Sequence, residues 1–196
     1  MQSKFVQTNS TRLHYLEFSG EQPTLVLLHG VTANAHAFDG LIAAGLSPAF
    51  NIISVDLRGR EQSSQPASGY TVQEHAKDII GLPDELKIEK AYLCDHSFGA
   101  LITLYIASHF PNRVQKMILM DAGIRLHEKA KEMLGPALSR LGQTYPSFEN
   151  YIEKVKSAPY LNFWDDAMMS YYRADVKGNA DGTVTPIPHP LYMTRL

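Results

Sequence analysis

The chain has 196 residues, 44% of them hydrophobic, and a formal net charge of −2 from 18 basic and 20 acidic side chains. That length and apolar content fit one folded domain and exclude a disordered chain, while the balanced charge, without a Lys/Arg run, excludes an electrostatic nucleic-acid face. A single cysteine, Cys94, excludes a disulfide framework. No apolar signal segment or membrane-spanning stretch is read in the sequence, so a cytoplasmic setting without membrane contact is expected.

Lys4 to Glu17 reads as two short strands, Phe5-Val6 and Leu13-His14-Tyr15-Leu16, about turn residues Asn9-Ser10. Thr24 to Leu28 is apolar without alternation, the pattern of a strand covered on both faces, and it stops at His29-Gly30-Val31-Thr32. Ala35 to Ala49 carries a helical period with Phe38, Leu41, Ile42 and Leu46 on its apolar side. The strand Asn51 to Asp56 leads into Leu57-Arg58-Gly59-Arg60-Glu61-Gln62-Ser63, where Asp56 and Arg58 are expected to pair across the turn. Thr71-Val72-Gln73-Glu74 is a capping box that opens a helix. Pro83 is expected to interrupt that helix, because proline lacks an N–H and clashes with the preceding turn.

Ala91 to Cys94 is apolar and runs into Asp95-His96-Ser97-Phe98-Gly99-Ala100, after which a helical pattern continues from Leu101 to Phe110. A strand driven into a sharp turn and straight into a helix holds one hydroxyl, Ser97, at the apex, beside the amide groups of the helix N-terminus. Val114 to Met120 is another strand, closed by Asp121-Ala122-Gly123. Strands alternating with helices predict an α/β fold with a doubly wound, mostly parallel sheet, and Val31, Ser97 and Asp121 fall at the carboxyl ends of its strands. Beyond Ile124 the texture turns helical and aromatic, with helices expected over 127–141, 148–155 and 167–172. Lys177 to Thr183 and Pro186, Pro188 and Pro190 are expected to form loop.

These motifs resemble the α/β-hydrolases, of the small serine-esterase and carbon–carbon hydrolase type. Asp95-His96-Ser97-Phe98-Gly99 is similar to the family's Gly-x-Ser-x-Gly elbow, with Asp95 in place of the first glycine. The segment from Asp56 to Ser63 is similar to Asp-x-Arg-Gly-x-Gly-x-Ser, with Glu61 in place of a glycine. Glu61, Pro83 and Asp95 are three places where local chemistry is expected to sit badly with the fold. The resemblance implies a core over residues 1–123 and a helical cap over 124–196, without the family's last strands. It makes Ser97 the nucleophile and the Val31 and Phe98 N–H groups the oxyanion donors, on a loop supported by His29, Gly30 and Gly99. His29 is expected to shape that loop rather than move protons. Phe148, Phe163 and Trp164 are candidates either for the substrate pocket or for the cap's own core.

Asp121 is a candidate acid, its alternative being a plain turn residue. No histidine of the chain matches the family's base: His75 and His109 sit in helical patterns, His96 is expected to point away from Ser97, and His127 and His189 match no family position. A base from outside the chain is therefore expected. So is an open sheet edge that a complementary C-terminal fragment or a second copy would cover. The implied activity is hydrolysis of a small carboxylic ester through an acyl-enzyme on Ser97, with no cofactor and no metal. The alternatives are a carbon–carbon bond hydrolase, a cofactor-free haloperoxidase, and a catalytically inactive binding module on the same fold.

Overall fold

The computed structural model describes residues 1–8, 11–123, 128–159 and 161–188. The Asn9-Ser10 turn, His127 and His189 lie outside them. Six strands make one sheet in the order β1-β2-β4-β3-β5-β6. β1 (Gln2–Thr8) and β2 (Thr11–Phe18) form an antiparallel hairpin, longer than its apolar centres suggested, and β2 runs antiparallel to β4 (Asn51–Val55). β4, β3 (Thr24–Leu28), β5 (Ala91–His96) and β6 (Val114–Met120) are mutually parallel.

The unbroken apolar run of β3 is explained by packing on both faces. Val26 and Leu28 join the core formed with Ala76, Ile79, Leu82, Phe98, Ile102 and Ile106, whereas Leu25 and Leu27 pack with Phe38, Ile42, Ile52 and Cys94 on the opposite face. Successive side chains of a strand point to opposite faces, so only a run without alternation can fill both layers.

Several expectations are corrected. Ala35 to Ala49 is not one helix but four short helical pieces, and Gly45, at φ +117°, breaks the helical backbone within the third. The helix Val72–Glu85 begins at Thr71, whose side chain accepts the Glu74 N–H, and passes through Pro83 into its last turn. Pro83 still forfeits the ladder bond its N–H would make, and its buried ring joins the packed face. Asp56 and Arg58 do not pair: Arg58 donates to both carboxylate oxygens of Asp78 at 2.6 and 2.7 Å, and Asp56 turns to His14. Asp95 is not a misfit, since its wholly buried carboxyl accepts hydrogen bonds from Leu28 N–H and the Thr103 hydroxyl. Burial still raises its pKa well above the ordinary carboxylate range.

After β6, helices Glu128–Ser139, Phe148–Lys156 and Asp166–Ala174 follow, and the expected loop at the end is a hairpin of β7 (Val176–Gly178) and β8 (Val184–Pro186). Tyr151, Ile152, Val155, Tyr172 and Val184 make a small core of their own. Among the described residues, no helix is long and apolar enough to cross a membrane.

Candidate active site

Ser97 joins β5 to the helix Phe98–His109, with φ +52° and ψ −110°. A non-glycine residue there is strained, and the strain persists because both neighbours are fixed. Ser97 N–H donates to Met120 O at 2.9 Å, and Gly99 N–H donates to His29 O at 3.2 Å. Gly99 cannot be replaced without movement, since a Cβ on it would lie 2.3 Å from Leu28 O. That missing side chain lets the elbow helix rest directly on β3, which brings the loop after β3 beside the serine. A Cβ on Gly30 would meet the Ser97 Cβ at 3.6 Å.

The loop itself is held carbonyl by carbonyl. His29 is fully buried, and its Nε2 accepts Leu57 N–H at 3.1 Å, so Nδ1 carries the proton and donates to Gly30 O at 2.7 Å. Burial lowers the His29 pKa to about 4, which keeps this neutral tautomer at physiological pH. In a trans peptide the N–H points opposite to the C=O, so fixing the Gly30 carbonyl also fixes the direction of Val31 N–H. Arg60 Nε donates to Val31 O at 2.8 Å, and Arg140 Nη2 donates to Thr32 O at 3.0 Å. Neither Val31 N–H nor Phe98 N–H meets another acceptor among the described residues. Two oriented amide donors near an apical hydroxyl are suited to stabilising a tetrahedral oxyanion.

Arg140 reaches the loop from beyond β6, and sequence reasoning missed it. Its guanidinium is buried with Asp175, donating from Nε and Nη2 at 3.1 Å each, and Tyr151 OH donates to the same carboxylate. The contact with Thr32 spans 108 residues and has no local signature.

The proton-transfer half is not assembled. No side chain among the described residues hydrogen-bonds Ser97 Oγ. Asp121 is at φ +53° with its side chain 88% exposed, and its nearest basic partner is His96 Nε2 at 3.9 Å. His75 is buried edge-on to the Phe98 ring at 5.0 Å, and His109 stacks on Tyr105. Phe148 and Trp164 pack against the Tyr151–Tyr172 cluster, and Phe163 is exposed. A cavity of about 330 Å³ lies between Gly135–Arg140 and Lys154–Pro159, with Tyr172 on its wall; Ser97, Phe148, Phe163 and Trp164 do not line it.

Comparison with known proteins agrees with this fold. Residues 23–180 match the model of the alpha/beta hydrolase fold family. A 2-(acetamidomethylene)succinate hydrolase of Mesorhizobium japonicum is 30% identical over 149 residues, covering 76% of this chain and 53% of its own length. An (E)-2-((N-methylformamido)methylene)succinate hydrolase of Acinetobacter baylyi is 28% identical, covering 93% of this chain and 72% of its own. A solved E-2-(acetamidomethylene)succinate hydrolase superposes with a TM-score of 0.86 at 26% identity, covering 99% of this chain and 71% of that one. The chain thus spans about half the length of the first of these relatives. With its elbow, its buried histidine-glycine loop and this match over most of its length, the chain belongs to the alpha/beta hydrolase fold family.

Proposed function

We propose that the chain carries the nucleophile and the oxyanion donors of a serine hydrolase acting on a small carboxylic ester or a related carbonyl compound. The observation that carries this reading is Ser97 at the strained apex between β5 and its helix, beside the held Val31 loop. Ser97 Oγ attacks the carbonyl carbon, and the oxyanion develops between the Val31 and Phe98 N–H groups. The Oγ proton passes to a histidine from outside the described residues and then to the leaving oxygen, and water clears the acyl-enzyme. Hydrolases among the relatives support an acyl-type substrate.

The base arrives, in this reading, with polypeptide that pairs onto β6. That edge strand exposes consecutive residues, Met117 at 44% and Ile118 at 59%, so both of its faces lack cover. The other edge, β1, is mostly polar at its exposed positions.

The test is steady-state hydrolysis of p-nitrophenyl acetate beside Ser97→Ala. Turnover lost in the variant is expected; turnover unchanged by it contradicts the assignment. Turnover absent from both, with full-length protein, favours a binding module instead.

A further inference from the structure

Ser97 is not the only serine placed for chemistry. Ser3 pairs with Leu16 across the β1–β2 hairpin and Phe5 pairs with His14, so Ser3, Phe5 and His14 share one face. Ser3 Oγ lies 2.8 Å from His14 Nε2, and His14 Nδ1 lies 2.5 Å from Asp56 Oδ2. These are the nucleophile–base and base–orienter contacts that activate a serine hydroxyl.

The roles follow from hydrogen-bond bookkeeping. A carboxylate only accepts, and Asp56 Oδ1 already takes Ala35 N–H at 2.6 Å, so its Oδ2 holds the His14 proton on Nδ1. Nε2 is left with a lone pair directed at the Ser3 hydroxyl. The imidazole is 1% exposed and its carboxylate is buried, whereas Ser3 itself is exposed. The backbone on both sides is pinned: His14 N–H donates to Ser63 Oγ at 2.8 Å, Ser63 Oγ–H to Asp56 O at 2.6 Å, and Asp56 N–H to His14 O at 3.0 Å. A base held this firmly loses little freedom in reaching its proton. Glu61, at φ +37°, places a second carboxyl group within 4.8 Å of the His14 and Asp56 ligand atoms.

The surroundings suggest what would react. The Phe5 ring, 39% exposed, lies 5.1 Å from the His14 ring, and the Arg12 guanidinium sits over it at 3.7 Å. They form an aromatic platform capped by a cation on the face that carries Ser3. Three strands separate β1 from β5, so this surface is distinct from the Ser97 elbow.

We propose that Ser3, His14 and Asp56 form a second reactive-serine site, which takes the acyl group of an activated aryl ester. The Ser3 Oγ–acyl bond forms as the ester's acyl–oxygen bond breaks. The hydroxyl proton moves to His14 Nε2 and from there to the departing phenolate. Among the described residues no fixed pair of amide donors is held beside Ser3, so the expected chemistry is acylation of the protein rather than rapid turnover.

The experiment uses Ser97→Ala protein, treated with p-nitrophenyl acetate or with an organophosphonate bearing a p-nitrophenolate leaving group. The rate of modification at each serine is read by mass spectrometry with fragmentation of the intact chain. Ser68 and Ser157, both exposed, are internal references. A positioned histidine base contributes about 10²–10⁴-fold, so Ser3 is expected to react at least about 100-fold faster than either reference in the folded protein, and at their rate in urea. His14→Gln that keeps its thermal transition is expected to bring Ser3 down to the reference rate. Ser3 reacting no faster than Ser68 and Ser157 in the folded protein overturns the proposal, and that comparison requires no variant of His14 to fold. A His14→Gln protein with undiminished Ser3 reactivity overturns it equally.

Discussion

The surroundings of Ser97 and Ser3 differ in a complementary way. Ser97 has a strained apex, a helix N-terminus and a neighbouring loop whose carbonyls are held by His29 and Arg60, yet no described side chain hydrogen-bonds its hydroxyl. Ser3 has a buried imidazole oriented by a carboxylate, yet lies on a strand without a held pair of amides. The two needs are met by different kinds of structure. Oxyanion donors are backbone groups and are fixed wherever turns are fixed, which is local work for the β3 and β5 ends. A base must be carried to the hydroxyl by a separate side chain, which is long-range work. The Ser97 site is therefore sensitive to whatever packs around β3, β5 and the segment of Arg140 and Asp175, and Ser3 to the β1–β2–β4 register.

Substitutions can separate the two sites. The largest effect is expected from Asp175→Ala, which leaves the Arg140 guanidinium buried without its carboxylate at a cost of about 3–5 kcal/mol. It also loosens the hold on Thr32, so Ser97 labelling by an organophosphonate should fall while Ser3 labelling is unchanged; thermal unfolding and residue-resolved labelling check both. Gly99→Ala should cost about 3 kcal/mol, because its Cβ would overlap Leu28 O and force the elbow helix off β3. Its signature is loss of Ser97 reactivity with Ser3 retained. His29→Ala leaves Leu57 N–H without its ring partner and Gly30 O with the Ala33 N–H alone, at about 1–3 kcal/mol, and loosens the Val31 peptide. Ser97 labelling should drop by about 10²-fold or more, as for loss of one oxyanion donor.

The remaining effect concerns Glu61 and is a gain. Its carboxyl pKa is raised to about 7, first by burial and then by Asp56. A raised folded-state value means the protonated form fits the fold better, so stability is lost as pH climbs from the ordinary carboxylate range through about 7. Glu61→Gly removes that loss and also relieves the φ of +37°, worth about 1 kcal/mol. Its melting temperature should rise more at pH 8 than at pH 5, where only the backbone relief remains.

Much of the Ser97 site was legible because its information is local. His29-Gly30-Val31 and Ser97-Phe98-Gly99 each lie within a few residues, and the turns they require constrain their sequences directly. Long-range partners were not legible. Asp95 reads as an intruder until Thr103, one face of the next helix, supplies its donor. Asp56 reads as a partner for Arg58 until the β2–β4 register brings His14 to it. The relay to Ser3 needs two strand registers at once, and no spacing in the chain encodes that. The single helix expected over Ala35 to Ala49 failed for another reason: apolar periodicity persists across Gly45 although the backbone does not.

The most direct test of the account is the rate at which an activated organophosphonate modifies Ser97, resolved from Ser3 by fragmentation, in folded and in urea-unfolded protein. The oxyanion donors alone are worth about 10²–10³-fold, so Ser97 should react at least about 100-fold faster when folded. A folded Ser97 that reacts no faster than the unfolded one would contradict the assignment of Val31 and Phe98 as a working oxyanion site.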